Sequence, residues 1–178
     1  TLVGNLCNGS PAADSVPALI AAGASVTIIS PNGSRDVSVE DIPHSPGKTT
    51  LEKGELISAI NLPKRNTNGG DAYLRLIPRT EMDIAVVGCG VNLSVKEGIV
   101  SDARVSLGAV TAKVILVKEA ADAIIGTNLD DKALTALSLA ASAACKPIND
   151  KRGTIEYRTH VAGVLAKKYD MVATSVAI

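Results

Sequence analysis

Phenylalanine and tryptophan are absent from this sequence of 178 residues, and tyrosine occurs three times. A core without those rings loses the side chains that each bury the most area. Hydrophobic residues reach 46%, so Ala, Val, Leu and Ile must build the interior, alone or with help from a partner surface. Charge of one sign is also missing, with 18 Lys+Arg against 18 Asp+Glu. That balance speaks against nucleic acid as a partner, which would call for a basic footprint. No apolar run approaches the roughly 18 residues of a membrane-spanning helix, and no basic segment leads into an apolar one as in a secretory signal peptide. The three cysteines, Cys7, Cys89 and Cys145, are scattered and form neither a disulfide framework nor a metal-ligand cluster. The expectation is a reduced, cytoplasmic protein. The chain opens on Thr1 with no initiator Met, which suggests a piece of something longer or a processed start.

At roughly 150 residues per domain, the length allows one or two domains. Ser10-Pro11-Ala12-Ala13-Asp14 has the order of a helix start, with Ser at the N-cap and Pro at the first helical position. Val16, Leu19 and Ile20 follow on one face, and Ala22-Gly23 would end the helix. The β-branched run 24–30 predicts a strand, with a turn at 31–34 and a short returning strand at 35–39. The segment 42–50, stiffened by Pro43 and Pro46, is expected to be an ordered loop, and 55–62 another strand closed by Pro63. The polar, Gly- and Asn-rich stretch 64–71 is the best boundary. Beyond it, 73–79 is extended, 84–95 reads as a buried strand, and 99–110 alternates as its antiparallel partner across Lys96-Glu97-Gly98. Three helices follow. The first covers 118–125. The second is capped by Asp130-Asp131 and carries Leu134, Leu137, Ala141 and Ala144 on one stripe. The last begins near Gly153-Thr154 and carries Ile155, Thr159, Ala162, Leu165 or Ala166, and Tyr169. Strands followed by helices predict an α+β layer.

Few residues invite catalysis. His44 and His160 are far apart, without a nucleophile elbow; a solvated or structural role accounts for His160, and His44 could line a site from its Pro-rich loop, with loop decoration the default. Clustered ligands for zinc or calcium are not seen. Gly88-Cys89-Gly90 and Gly69-Gly70 lack the strand-turn-helix setting of a dinucleotide fingerprint. No catalytic residue and no metal site is therefore expected. One segment stands apart. Residues 1–14 are dense in small and hydrogen-bonding side chains and run into a helix start. Small residues let backbone amides approach a ligand, and a helix N-terminus favours an anion such as a pyrophosphate. A polar loop before a capped helix explains the same residues.

The run Gly4-Asn5-Leu6-Cys7-Asn8-Gly9-Ser10-Pro11-Ala12-Ala13-Asp14 resembles the FAD-binding subunit of the molybdenum hydroxylases, the family of xanthine, carbon monoxide and nicotinate dehydrogenases. Further stretches agree in order: Pro46-Gly47-Lys48-Thr49 with Gly54-Glu55-Leu56, Ala72-Tyr73-Leu74-Arg75 with Arg79, and Met82-Asp83-Ile84-Ala85. The tail 151–168, with Glu156-Tyr157-Arg158, is similar to the family's last helix. The resemblance implies a fold: the second lobe of the FAD-binding domain over 1–63, with a mixed sheet, then a C-terminal α+β domain over 71–178 with an antiparallel sheet packed by helices. It also implies a heteromeric oxidoreductase. Its large subunit carries a molybdenum cofactor and its small subunit two [2Fe-2S] clusters. The FAD on this subunit passes electrons to NAD(P) or another acceptor.

By the same resemblance, Thr1, Leu2, Val3, Gly4 and Asn5 belong to the turn holding the FAD pyrophosphate. Asn8, Ser10 and Asp14 match further FAD contacts, with Asp14 reaching a sugar hydroxyl or the adenine. Leu56 or Ile57 matches an apolar residue on the adenine, and Tyr73 and Arg75 match positions near the isoalloxazine. A cation at Arg75 would favour reduced, anionic flavin. The family usually has a second Gly at Val3 and often Lys at Arg75. It also carries a preceding lobe with another Gly-rich loop, which this chain does not match, so weak or no FAD binding is expected of the chain alone. The rival readings are a non-catalytic subunit-interaction domain that does not bind FAD by itself, and an independent nucleotide-binding enzyme. The second lacks a general base beside the site.

Overall fold

In the computed structural model the backbone is described for residues 1–80 and 82–177, and the side chains for residues 1–80 and 82–168. The first residues are helical rather than a turn. Helix α1 (Leu2–Cys7) is capped by Thr1, whose Oγ accepts from the Gly4 amide at 3.0 Å. Val3, Leu6 and Cys7 recur at helical spacing and face one core, with Leu6 fully buried. Helix α2 (Ser15–Ala21) starts later than Ser10-Pro11 suggests, with Asp14 at the N-cap position. The reason is local. Ser10 accepts from the Ala12 amide through its Oγ (3.2 Å) and from the Ala13 amide through its carbonyl (3.1 Å). The hydroxyl thus builds a turn instead of capping a helix. Pro17 is the third residue of α2, where the missing N–H would have had no intrahelical acceptor.

Strand β1 (Ser25–Ser30) pairs with β2 (Gly33–Ser38) across the turn at 31–32. After a 3-10 turn (Val39–Asp41), the expected loop contains a small hairpin of β3 (Pro43–Ser45) and β4 (Lys48–Thr49). Strand β5 (Leu56–Asn61) completes a sheet of order β2-β1-β5 that is antiparallel throughout, not mixed. One face of that sheet joins Leu6, Val16 and Ile20 in an aliphatic core with Val26, Ile28 and Ile57.

The second sheet has the order β6-β7-β8-β9, again antiparallel, from β6 (Gly69–Leu76), β7 (Val87–Lys96), β8 (Ile99–Gly108) and the short β9 (Ile115–Leu116). The polar boundary ends inside this sheet, since Gly69 to Asp71 open β6. The burial alternation of β8 skips from Val100 to Ala103 because the register slips there. Ser94 faces Asp102 while Val95 faces Val100, leaving Ser101 as the extra residue of a bulge. Helices α3 (Lys118–Asp122), α4 (Asp131–Ala143) and α5 (Ile155–Ala177) cover one face. Asp130 caps α4 by accepting from the Ala133 amide at 2.8 Å. Tyr169, expected on the α5 stripe, lies outside the described side chains.

The two faces of this sheet are built from different residues. Val87, Cys89, Val91 and Leu93 of β7 and Val105 and Leu107 of β8 point toward the α3–α5 layer and are buried there with Leu137, Ala141 and Ala162. The opposite face carries Gly88, Gly90, Ser106 and Gly108, which are cross-strand neighbours. There α2 lies almost on the backbone. A Cβ on Gly90 would stand 2.7 Å from the Pro17 carbonyl oxygen, and one on Gly108 2.9 Å from Pro17 Cγ. Ser106 Oγ donates to the same carbonyl at 2.6 Å, and the Ala109 amide donates to the Pro11 carbonyl at 2.7 Å. Arg104 adds bonds to the Ile20 carbonyl (3.1 Å) and to Glu40 (2.6 Å). At the other end, the buried Arg158 of α5 donates to the Val86 and Ala109 carbonyls and to Asp150 at 2.6 Å.

Two outcomes follow from this packing. Gly90→Ala should lower the unfolding free energy by about 1–3 kcal/mol, because its methyl meets a carbonyl oxygen that cannot swing away. A urea midpoint unchanged at constant m-value would contradict the close seating. Asp150 is held below the usual carboxylate range, first by the Arg152 amide and then by Arg158 and the Gly153 amide. A group depressed by folding stabilises above its unfolded pKa and loses that contribution as pH falls through the folded value. The acid limb of a pH–stability curve, below about pH 4, should therefore flatten in Asp150→Asn relative to the parent.

Candidate functional site

The pairing of β6 with β7 places Tyr73 opposite Gly90 and Arg75 opposite Gly88. Both side chains therefore share the glycine face with α2, while Ala72, Leu74 and Leu76 turn to the helical layer. On that face the Arg75 guanidinium donates to Asp14 Oδ2, at the start of α2. Arg75 is thus not a free cation, and the pair carries little net charge. The other Asp14 oxygen, Oδ1, is buried with no hydrogen-bond partner among the described residues, and so is the Tyr73 hydroxyl. Burial, with the Asp14 carboxylate adding to it, pushes the Tyr73 hydroxyl up, so it stays protonated. Gly88 makes room for it, since a Cβ there would stand 2.9 Å from Tyr73 Oη.

Asn5 joins the same cluster from α1. Its Oδ1 accepts from the Ser15 amide at 3.1 Å and from Ser15 Oγ at 2.6 Å. Leu2, Ser15, Leu62 and Tyr73 line an apolar groove of about 340 Å³ beside it. Leu2, Asn5, Asp14, Tyr73 and Arg75 thereby lie together, whereas the expectation spread them along FAD from the pyrophosphate to the isoalloxazine; Thr1 stands at the start of α1 as its cap. Gly4 is exposed, and a Cβ there would stand 2.9 Å from Thr1 Oγ, the end of a side chain that can turn aside. Val3 is half-buried against the first core, which gives its side chain a packing role.

The other expected residues lie apart. Asn8 is exposed at the end of α1. Ser10 lines a second cavity of about 300 Å³ with Ile84, Ala109, Pro147 and Arg158. Leu56 is 53% exposed on β5, whereas Ile57 is 7% exposed and belongs to the core. Of that pair only Leu56 has a surface to offer, because alternate residues of a strand point to opposite faces. His44 and His160 are exposed and far from the cluster in the chain. Among the described residues, no group of three His, Cys, Asp or Glu side chains could hold a metal ion. Sequence reasoning missed Ser15 and Gly88. A Ser directly after an Asp at a helix start, and a Gly in an otherwise apolar strand, were the signals available for them.

Two families match the chain. The FAD binding domain in molybdopterin dehydrogenase matches residues 1–65, and the CO dehydrogenase flavoprotein C-terminal domain matches residues 72–171. The chain belongs to the molybdenum hydroxylase flavoprotein family. It is 36% identical to the carbon monoxide dehydrogenase medium chain of Afipia carboxidovorans over 169 residues, 94% of this chain and 58% of that relative. It is 29% identical to the putative xanthine dehydrogenase FAD-binding subunit of Escherichia coli (strain K12) over 178 residues, 99% of this chain and 61% of that one. Among solved structures, reconstituted CO dehydrogenase from Oligotropha carboxidovorans superposes with a TM-score of 0.94 at 32% identity, covering 98% of this chain and 61% of the other. The chain therefore spans about three-fifths of the length of the flavoprotein subunits it matches.

The cluster suits the cofactor of that family. A buried carboxylate oxygen with no donor fits a hydroxyl-bearing ligand, and an Asn whose oxygen is already taken offers only N–H donors. The first amides of α1, at Leu2 and Val3, have no intrahelical acceptor. The orphaned hydroxyl allows a direct check. Tyr73→Phe should leave the unfolding free energy of the ligand-free chain unchanged, or raise it by up to about 1 kcal/mol, since an unpaired buried hydroxyl costs stability. A clear loss in thermal unfolding would mean that Oη has a partner.

Proposed function

We propose that the cluster around Asn5, Asp14 and Arg75 is one wall of an FAD site, and that the chain is the electron-transfer part of a molybdenum-dependent hydroxylase or dehydrogenase. The observation that carries this reading is the buried, unpartnered Asp14 Oδ1 beside an Asn5 carboxamide left with only donors. Thr1 to Asn5 would face the pyrophosphate with amides and neutral side chains. Asp14 would accept from a sugar hydroxyl, Leu56 would lie on the adenine, and Tyr73 and Arg75 would border the isoalloxazine. FAD, when bound, supplies the redox chemistry, taking electrons from [2Fe-2S] clusters of a small subunit, fed by a molybdenum cofactor on a large one, and giving them to NAD(P) or another acceptor. The large and small subunits are the proposed partners, and the cytoplasm the proposed compartment. No described helix is long and apolar enough to cross a membrane.

Because the relatives are longer, the rest of the site is proposed to come from a segment outside these 178 residues. The ion pair changes what Arg75 does. Its charge is shared with Asp14, so its first task is to hold that carboxylate with Oδ1 toward the ligand.

The test uses the full-length gene product. It should purify yellow with one FAD per chain, whereas residues 1–178 alone should bind FAD weakly or not at all. Arg75→Ala in the full-length protein should lower FAD affinity about tenfold, ~1.4 kcal/mol, read by flavin fluorescence. A colourless full-length protein that takes up no added FAD would overturn the proposal.

A further inference from the structure

We propose that Ser15 is a positioning residue of the flavin site, acting through Asn5 by fixing which end of its carboxamide meets the ligand. The inference rests on the reading of the cluster as an FAD site.

A carboxamide can turn over about its last torsion with little intrinsic preference, offering either its oxygen or its nitrogen. Here the choice is settled chemically. The Ser15 backbone N–H, 3.1 Å from Asn5, can only donate, so the atom facing it is the oxygen. Ser15 Oγ, at 2.6 Å, donates to the same oxygen. Two donors fill both lone pairs of Oδ1. What Asn5 has left is its NH₂ group, and among the described residues Nδ2 has no protein acceptor. The side chain therefore presents donors only, the polarity that phosphate or carbonyl oxygens of a flavin nucleotide require.

The placement follows from the chain. Ser15 is the first residue of α2, and its amide is one of those a helix start leaves without an intrahelical partner. Asp14, at the N-cap position, makes no side-chain cap; its backbone is already helical, at φ −61° and ψ −37°, where a capping residue is normally extended, and Arg75 holds its Oδ2. Asn5 from the neighbouring α1 supplies the cap instead. One contact thus closes the N-terminus of α2, ties α1 to α2, and orients the carboxamide. Ser15 also lines the groove shared with Leu2 and Tyr73, so its hydroxyl lies within the cluster.

The experiment compares FAD dissociation constants of the full-length protein, prepared free of flavin, in five forms: parent, Ser15→Ala, Ser15→Thr, Asn5→Ala, and Ser15→Ala in the Asn5→Ala background. Thermal unfolding of each flavin-free form runs alongside. Ser15→Ala should weaken FAD about three- to tenfold, the range set by losing one of two hydrogen bonds on Oδ1. Ser15→Thr, which keeps the hydroxyl, should restore affinity to within about twofold. In the Asn5→Ala background Ser15→Ala should have no further effect on FAD, since there is no carboxamide left to orient. A purely structural role for Ser15 would instead lower stability and affinity by the same factors in both backgrounds, and that result overturns the inference. So does an unchanged dissociation constant in Ser15→Ala. A parent protein that binds no FAD would overturn the flavin site itself, and this inference with it, which separates the two failures.

Discussion

The contact on which the rest depends is the seating of Pro17 on the glycine face of β7 and β8. A helix normally packs on a sheet through side chains from both surfaces. Here the sheet contributes at the centre only the small side chain of Ser106, and the Pro17 carbonyl oxygen lies 2.7 Å from where a Cβ of Gly90 would stand. Ser106 then fastens that carbonyl with a hydrogen bond. Helix α2 is held at backbone distance, and its N-terminal end follows. Asp14 is thereby brought to Arg75, and Ser15 to Asn5. The register of β6 matters equally. A slip of one residue would turn Tyr73 and Arg75 into the helical layer and dissolve the cluster.

The absence of large rings bears on this arrangement. The sheet divides its residues by size, with Val and Leu toward α3–α5 and Gly and Ser toward α2. The aliphatic face supplies stability by burial, at about 1.5–3 kcal/mol for each fully buried large side chain. The small face supplies little of that and gains proximity instead, with polar contacts closing the gap. Arg104, reaching the Ile20 carbonyl and Glu40, does for the two lobes what an aromatic side chain could have done by area. Arg158 does the same where α5 meets the ends of β7 and β8.

Much of this was legible because it is periodic. The alternation of Val105 and Leu107, the 3.6-residue stripe of α4 and the turn at Glu97-Gly98 are local signals, and their elements formed where they predict. The start of α2 was not legible, because the Ser10 hydroxyl satisfies amides equally well in a turn, and only the packing of Pro17 decides where helix begins. The helicity of α1 was hidden for a similar reason. Six residues are too few to hold a helix unaided, and Leu6 and the Thr1 cap give it a place. At the site, the resemblance to a known family named Asp14 and Arg75, 61 positions apart, as contacts to different parts of FAD. It did not reveal that they pair, nor that Ile57 turns inward while Leu56 turns out. Those facts belong to register and tertiary contact, which single residues do not encode.

The pairing of Arg75 also recasts how such a site recognises an anionic nucleotide. An unpaired guanidinium would attract phosphate at long range and raise the potential of any flavin beside it. With Asp14 bound to it, the long-range field largely cancels, and in the proposed site recognition would fall to short, directional contacts: the amides of α1, the Asn5 N–H groups and the unpaired oxygen of Asp14. Such contacts act only when the ligand is already held close. A wall of this kind can orient a nucleotide that another segment helps to grip, but it gathers one poorly from solution. The neutrality of the cluster and the length of the relatives both support the proposal of a site shared with another segment.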